Sequence, residues 1–127
     1  MKFIKTVVVL LSLVAGPALA QSSPCSALFT TNDIYQCLVG EHAIADKELN
    51  EAYDAVQSTL RLSNNGRSQA LTSAQRAWIT LRDLDCVSES MPFQGGTFQK
   101  VLIQSCLTRM TKERTLYLET HYALEAP

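Results

Sequence analysis

The sequence lacks the motifs that common hydrolases and metalloenzymes require. It contains no G-x-S-x-G turn, no H-E-x-x-H pair and no C-x-x-C, which are the signatures of serine hydrolases, zinc proteases and thiol redox proteins. Histidine is scarce, because only His42 and His121 are present. A serine nucleophile therefore has little prospect of a neighbouring base. We expect no catalytic residue, no metal site and no cofactor.

The chain also lacks an excess of basic residues. It has 11 Lys and Arg against 12 Asp and Glu, for a net charge of −1, whereas nucleic-acid binding needs a concentrated basic face. Carboxylates do cluster, at Asp83, Asp85 and Glu89 and at Asp46 and Glu48, and glycosidases need only two. A chain this short leaves little room for a sugar-binding cleft, so these are interpreted as solvated charges and an enzyme is not predicted.

Long apolar runs are missing except near the N-terminus. Residues Met1–Ala20 have the build of a secretory signal peptide, with early lysines, an apolar run from Val7 to Ala15 and a cleavage site at Ala18-Leu19-Ala20. The run is shorter than the ~20 residues that a membrane-spanning helix needs. The sequence predicts removal of residues 1–20, a single domain over residues 21–127, and a periplasmic or secreted location.

Four cysteines remain after the predicted cleavage. The oxidising compartment predicts that they form two disulfides, with three pairings possible. Sequential pairing is favoured, because Cys37 lies on the outward side of its predicted helix, where the segment carrying Cys25 reaches it. Cys86 would then pair with Cys106. Because no cysteine directly follows Ala20, no membrane anchor is predicted after cleavage.

No stretch alternates with the period of a β-strand over a useful length. Apolar residues at three- and four-residue steps predict helices over Asp33–Leu62, over Arg67–Cys86 and from an N-cap at Thr97 to about Tyr122. Thr30 and Asn32 are both candidate caps of the first helix. Thr72 and Gln75 have capping-box spacing, so the second helix has an alternative start there. A turn that ends at Gly66 and a loop over Val87–Gly96 link them. Short links between helices predict an all-α, antiparallel three-helix bundle with two disulfides. The predicted apolar stripe of the first helix consists of Ile34, Tyr35, Leu38, Ala45, Leu49, Ala52, Tyr53, Val56 and Leu60. The predicted buried stripe of the second helix consists of Leu71, Ala74, Trp78 and Leu81.

Two polar residues fall on predicted apolar stripes. Arg114 lies on the stripe of the third helix, where an unpaired guanidinium is costly. We expect a structural ion pair between Arg114 and Asp46, or between Arg114 and Asp83 or its neighbour Asp85. His42 lies on the stripe of the first helix and is expected to be a packed or rim histidine.

These features together resemble a known family. The chain is similar, from Cys25 to about Leu118, to the LprI-type lysozyme-inhibitor domain family of small exported or lipid-anchored bacterial proteins. The resemblance implies a helical, disulfide-bonded envelope domain and inhibition of lysozyme. It supplies no catalytic residue. The similarity is carried by the four cysteines, the segments 45–50, 74–79, 82–83 and 95–96, and Tyr53, Leu107, Thr111 and Arg114. Among these, Asp46, Asn50, Trp78, Arg82, Asp83 and Arg114 are interpreted as scaffold positions.

Two functional hypotheses follow. In the first, the protein inhibits a hydrolase such as c-type lysozyme by inserting the loop between the second and third helices into its cleft. Met91 and Phe93 supply an apolar tip, and Gly95 and Gly96 permit close backbone approach. In the second, the protein is an accessory envelope protein that binds an endogenous periplasmic partner through a helix face.

Overall fold

The computed structural model describes residues 24–63 and 66–122. The predicted signal peptide over residues 1–20 and the predicted mature N-terminus at Gln21 lie outside the described residues. A short 3-10 helix, Pro24–Ala27, leads into three α-helices: α1 (Thr31–Leu62), α2 (Arg67–Ser90) and α3 (Gln99–Tyr122). A second 3-10 helix, Met91–Phe93, follows α2.

The helices pack as an up-down-up bundle. α1 and α3 run in the same direction and share the largest contact, while α2 runs opposite to both. The part of the chain that the structure describes contains no strand, so the predicted all-α bundle is confirmed. None of these helices is both long enough and apolar enough to cross a bilayer.

Thr30 fixes the beginning of α1. Its extended backbone places the side-chain oxygen where it accepts from the backbone N–H of Asp33 at 3.1 Å. The Thr30 hydroxyl donates in turn to the Asp33 carboxylate at 2.6 Å. The first bond satisfies one backbone donor that a helix start leaves free, and the Asp33 carboxylate is stabilised by the positive end of the helix dipole. Of the two candidates, Thr30 and Asn32, Thr30 is thus the N-cap.

α2 extends beyond its predicted end at Cys86. It continues to Ser90, whose hydroxyl donates to the carbonyl of Val87 at 2.8 Å. Pro92 then ends the regular helix, because a proline has no backbone N–H with which to continue the ladder of helical hydrogen bonds. The backbone N–H of Met91 instead donates to the carbonyl of Ser88, a tighter 3-10 contact. The loop is therefore shorter than predicted. α3 also begins later than Thr97, and the carbonyl of Phe98 accepts from the backbone N–H groups of the helix's first turn.

The core consists of two clusters at opposite ends of the bundle. One contains leucines from all three helices, with Tyr53, Val56, Trp78 and Tyr122 packed against it; its members are Leu49, Leu60, Leu71 and Leu118. The other holds Cys25, Leu38 and Val101, with Ile34, Tyr35 and Cys37 around it. The stripe predicted for α1 is buried as expected at Leu38, Ala45, Leu49 and Leu60.

α2 buries a different face from the one predicted. Leu71 is buried as expected, but Ala74 is exposed and Leu81 is 53% exposed. The buried face instead carries Gln75, Arg82 and Cys86. The cause is covalent and electrostatic: Cys86 is bonded to α3, and Arg82 donates to Thr111 on α3. These contacts rotate the polar side of α2 inward.

Candidate functional site

Both disulfides follow the sequential pairing. Cys25 is bonded to Cys37, and Cys86 is bonded to Cys106. The first bond ties the N-terminal 3-10 helix to α1. The second joins the last turns of α2 to α3, with a sequence separation of 20 residues. It therefore closes the base of the segment Ser88–Gly96, the segment that the inhibitor hypothesis assigns to target contact.

Hydrogen bonds within the segment Ser88–Gly96, and from this segment to Gln99, order the loop. Gln99 accepts from the backbone N–H of Gly95 at 3.1 Å and donates to the hydroxyl of the fully buried Ser90 at 3.4 Å. The backbone N–H of Gly96 donates to the carbonyl of Phe93 at 3.0 Å. Gly95 has a φ of 81°, a conformation that side chains with a Cβ rarely adopt. These hydrogen bonds and the left-handed backbone of Gly95 together fix the conformation of the loop.

The tip of this loop is apolar and open to solvent. Met91 and Phe93 are each about half-exposed. Phe93 lies edge-to-face against Phe98, with ring centroids 5.9 Å apart. A Cβ added at Gly96 would approach the carbonyl of Phe93 to 3.2 Å. Met91, Phe93, Gly95 and Gly96 therefore lie together in one exposed, internally hydrogen-bonded loop.

Charged side chains lie on the helices on both sides of this loop. Arg109 on α3 pairs with Glu89 on α2 at 3.0 Å and with Glu113 at 3.6 Å. Lys100 lies over the ring of Tyr35 on α1, with its ammonium 4.4 Å from the ring centroid. These contacts link the ends of α2 and α3 that flank the loop to each other, and link α3 to α1.

The buried arginine of the bundle is Arg82, not Arg114. Its side chain donates to Asp83 at 2.9 Å and to Thr111 at 3.2 Å, and it lies 3.9 Å from Asp46. The predicted ion pair between Arg114 and Asp46, Asp83 or Asp85 is therefore wrong. The arginine that pairs with Asp46 and Asp83 is Arg82. Within the described ranges 24–63 and 66–122, Arg114 instead donates to the side-chain oxygen of Gln75 at 2.9 Å.

Trp78 lies between the two arginines. The guanidinium carbons of Arg82 and Arg114 are 5.3 Å and 5.6 Å from its ring centroid. Arg114 also lies 5.1 Å from the ring of Tyr117. Cation–π contacts of this kind stabilise a desolvated arginine without a carboxylate. This arrangement explains how Arg114 is accommodated, and it makes Trp78 a structural residue, as the sequence suggested.

A groove of about 280 Å³ lies between α1 and α2. Of the residues that line it, all but Thr72 belong to the positions that carry the family resemblance. Two pairs of its polar side chains already bond each other: the hydroxyls of Tyr53 and Thr72 share a hydrogen bond of 3.1 Å, and Asn50 donates to Asp46 at 3.4 Å. Gln57, which does not line the groove, donates to the same Tyr53 and Thr72 hydroxyls at 2.7 Å and 2.9 Å. The groove is thus an internally bonded seam between two helices. It is lined by Asp46, Leu49, Asn50, Tyr53, Thr72, Gln75, Arg76, Ile79 and Arg82.

His42 lies beside this seam on α1. Its Nδ1 atom is buried and has no hydrogen-bond partner among the described residues. Burial lowers the pKa of His42, and the Arg82 cation lowers that pKa further, while Asp46 and Asp83 raise it. The structure thus favours the neutral imidazole, as expected for a packed or rim histidine.

This preference predicts a pH-dependent stability. Below the usual histidine pKa of 6.5, the unfolded chain takes up a proton at position 42 that the folded protein resists. The free energy of unfolding should therefore fall as the pH drops from 6.5 through the lower pKa of the folded state. His42→Gln should lose this component. Urea denaturation at neutral and mildly acidic pH measures it, in a background carrying His121→Gln so that only one histidine differs.

An unchanged pH slope in His42→Gln would contradict this account. The pH dependence would then arise from the carboxylates instead.

Comparisons with known proteins place the chain among relatives. The model of the family described as lysozyme inhibitor LprI matches residues 24–118. A protein of Rhizobium meliloti named "Uncharacterized protein R02472" is 30% identical over 122 residues, which cover 87% of this chain and 88% of the relative. No solved structure matches the chain. The matched residues span both disulfides, the loop segment and Arg82, and the chain belongs to the lysozyme inhibitor LprI family.

Proposed function

We propose that the protein is an exported, non-enzymatic inhibitor of c-type lysozyme that acts by protein–protein binding. The observation that carries the proposal is the exposed apolar pair Met91 and Phe93, held on a loop closed by the Cys86–Cys106 bond. An inhibitor of this kind blocks a cleft by filling it with a rigid, partly apolar tip. Family membership supports the same activity, since the family is described as inhibitory and not as enzymatic.

The ordered conformation of the loop segment Ser88–Gly96 supports a binding role. A loop that is ordered before it meets its target does not lose conformational entropy on binding, so more of the contact energy appears as affinity. Three features order this loop in the free protein: the Cys86–Cys106 bond, the Gln99 side chain and the left-handed Gly95. A mere connector between helices would not need all three.

The disulfides also support the proposed location. Two cystines among the described residues, with no free cysteine there, are typical of proteins that fold in an oxidising compartment. We therefore place the mature protein in the periplasm or outside the cell. Lysozyme encountered there would be its target.

The test is a titration of c-type lysozyme with the oxidised mature protein. Replacement of Met91 and Phe93 together by alanine is expected to weaken inhibition roughly tenfold or more, because buried apolar anchors dominate such interfaces. Leu116→Ala is the matched control, since Leu116 is 60% exposed on α3 away from the loop. The control should inhibit like the wild type.

Full inhibition by the Met91/Phe93 variant would show that the loop is not the contact. Absence of inhibition by the wild-type protein at every concentration would contradict the inhibitor itself. The accessory envelope role would then remain, and capture of an endogenous periplasmic protein would support it.

A further inference from the structure

The groove between α1 and α2 is a bounded site. Contacts between the two helices mark its ends: Arg82 lies 3.9 Å from Asp46 at one end, and Tyr53 shares a 3.1 Å hydrogen bond with Thr72 at the other. Between these contacts α1 rises about 10 Å and α2 about 15 Å, at ~1.5 Å per residue. The internal hydrogen bonds of the groove leave part of its bonding capacity unused.

One positive charge in the groove has no counterion. Arg82 is paired with Asp46 and with Asp83, its neighbour on α2. Arg76 also lines the groove and is exposed, but its side chain forms no ion pair or hydrogen bond with any residue in the ranges 24–63 and 66–122. A guanidinium presents its N–H donors in a planar fork that matches a carboxylate. The groove therefore favours a ligand that carries a carboxylate.

A mostly buried amide opens onto the same groove. Gln75 lines it although only 8% of this residue is exposed. The Gln75 oxygen accepts from Arg114 at 2.9 Å, which settles which end of the amide carries the N–H donors. The Gln75 nitrogen bonds to no other described residue and is not fully buried. A ligand oxygen in the groove therefore gains a donor that is already immobilised, at little entropic cost.

The rest of the groove supplies an acceptor and apolar surface. Asn50 on α1 donates to Asp46 through its amide nitrogen, and its oxygen is free to accept among the described residues. Leu49 and Ile79 line the same groove, and Ile79 is 40% exposed. Donors on α2, an acceptor on α1 and apolar side chains together match one end of a peptide: the carboxylate, the amide N–H next to it and a side chain.

We infer that this groove binds the C-terminal end of a short peptide, with the carboxylate on Arg76 and Gln75 and the adjacent backbone N–H on the Asn50 oxygen. The volume of about 280 Å³ lies just below the ~300 Å³ at which ligand pockets usually begin, so the ligand is small. An extended dipeptide with an N-acetyl cap spans roughly 10 Å at ~3.4 Å per unit, which matches the length of the α1 wall. A bare inorganic anion fits less well, since it gains nothing from Leu49 or Ile79.

Titration of the isotope-labelled, oxidised mature protein with N-acetyl-leucyl-alanine, followed by amide NMR spectra, tests the inference. A ligand of this size should bind with a Kd on the order of 0.1 to 1 mM. The amide signals of residues 46–53 and 72–82 should shift. The same dipeptide with a C-terminal amide lacks the charge and should bind roughly tenfold more weakly. Inorganic phosphate at the concentration of the dipeptide should not displace it.

Two variants separate the contacts, and both replace exposed residues. Arg76→Gln should weaken binding of the acid roughly tenfold and leave binding of the amide unchanged, because only the acid carries the charge that Arg76 contacts. Asn50→Leu should weaken both probes by a similar factor of about three, because both carry the N–H. Arg61→Gln replaces an exposed arginine of α1 outside the groove and should bind both probes like the wild type.

Absence of signal shifts in the groove at about 10 mM dipeptide would overturn the inference. Equal weakening of the acid and the amide by Arg76→Gln would also overturn it, since the arginine would then act on the shape of the groove and not on the ligand's charge. Displacement of the dipeptide by phosphate would show a general anion site instead. The inference does not rest on lysozyme inhibition, because Met91 and Phe93 lie outside the groove.

Discussion

Replacing Asp46 and Asp83 together by alanine is expected to destabilise the protein by about 3 kcal/mol. The variant leaves the Arg82 guanidinium, whose side chain is only 10% exposed, with the Thr111 hydroxyl and the face of Trp78. Breaking a buried ion pair from one side costs this much because the remaining charge keeps its desolvation penalty and loses its compensation. The two carboxylates are about half-exposed, which places the estimate at the low end of the usual range.

Removing the arginine should cost much less. Arg82→Met keeps an apolar chain of similar volume against Trp78 and leaves two carboxylates that reach water. The expected loss is about 1 kcal/mol, mainly from the hydrogen bond to Thr111. Urea denaturation followed by circular dichroism measures both variants. Asp85→Ala, an exposed carboxylate on the same helix, is the control and should change stability by less than about 0.5 kcal/mol.

The order of the two effects is the decisive result. If Arg82→Met destabilises as much as the double carboxylate variant, then packing by the arginine stem is the dominant contribution and the buried charge is not. The expected order instead identifies Arg82 as the point where the helices are held in register, since it contacts Asp46 on α1 and Thr111 on α3 from its own position on α2.

Sequence periodicity predicted α1 well because one signal governs that helix. Its buried positions Leu38, Ala45, Leu49 and Leu60 recur at helical spacing with charges on the opposite face. No competing apolar face exists there, so the rotation of α1 about its axis follows from hydrophobicity alone. The N-cap Thr30 was predictable for a similar reason, since capping depends on local sequence.

α2 could not be predicted in this way because it has two candidate faces. The more apolar face, through Ala74 and Leu81, is exposed, and the face with Gln75, Arg82 and Cys86 is buried. The choice depends on a disulfide and a cross-helix hydrogen bond, neither of which periodicity detects. Because of the same rotation, Arg82 and not Arg114 forms the ion pairs with Asp46 and Asp83. A signal was present in the sequence, since Leu71, Gln75 and Arg82 share one helical face with Cys86.

Replacing Cys86 and Cys106 together by alanine is expected to lower the free energy of unfolding by about 3 kcal/mol in the chain-entropy model, given the 20-residue separation of the two cysteines. The midpoint of thermal unfolding should fall by roughly 12 °C. The physical reason lies in the unfolded state, because the open chain gains conformations that the closed loop forbids. Thermal unfolding followed by circular dichroism measures the shift.

The other disulfide provides a matched comparison. Its 12-residue separation predicts a slightly smaller loss for the double alanine variant of Cys25 and Cys37, still close to about 3 kcal/mol. That bond joins the N-terminal 3-10 helix to α1 and does not close the loop that carries Met91 and Phe93. The two variants should therefore resemble each other in stability and differ in binding.

Inhibition of lysozyme, measured well below both unfolding midpoints, separates the two roles of the Cys86–Cys106 bond. If that bond pre-organises the loop, its removal weakens inhibition even when the protein is fully folded, because the loop must then be ordered at the moment of binding. Removal of Cys25–Cys37 should leave inhibition at the wild-type level. Equal loss of inhibition in both variants would show that global stability, and not the order of the loop, controls binding, and it would remove the main support for the loop as the contact surface.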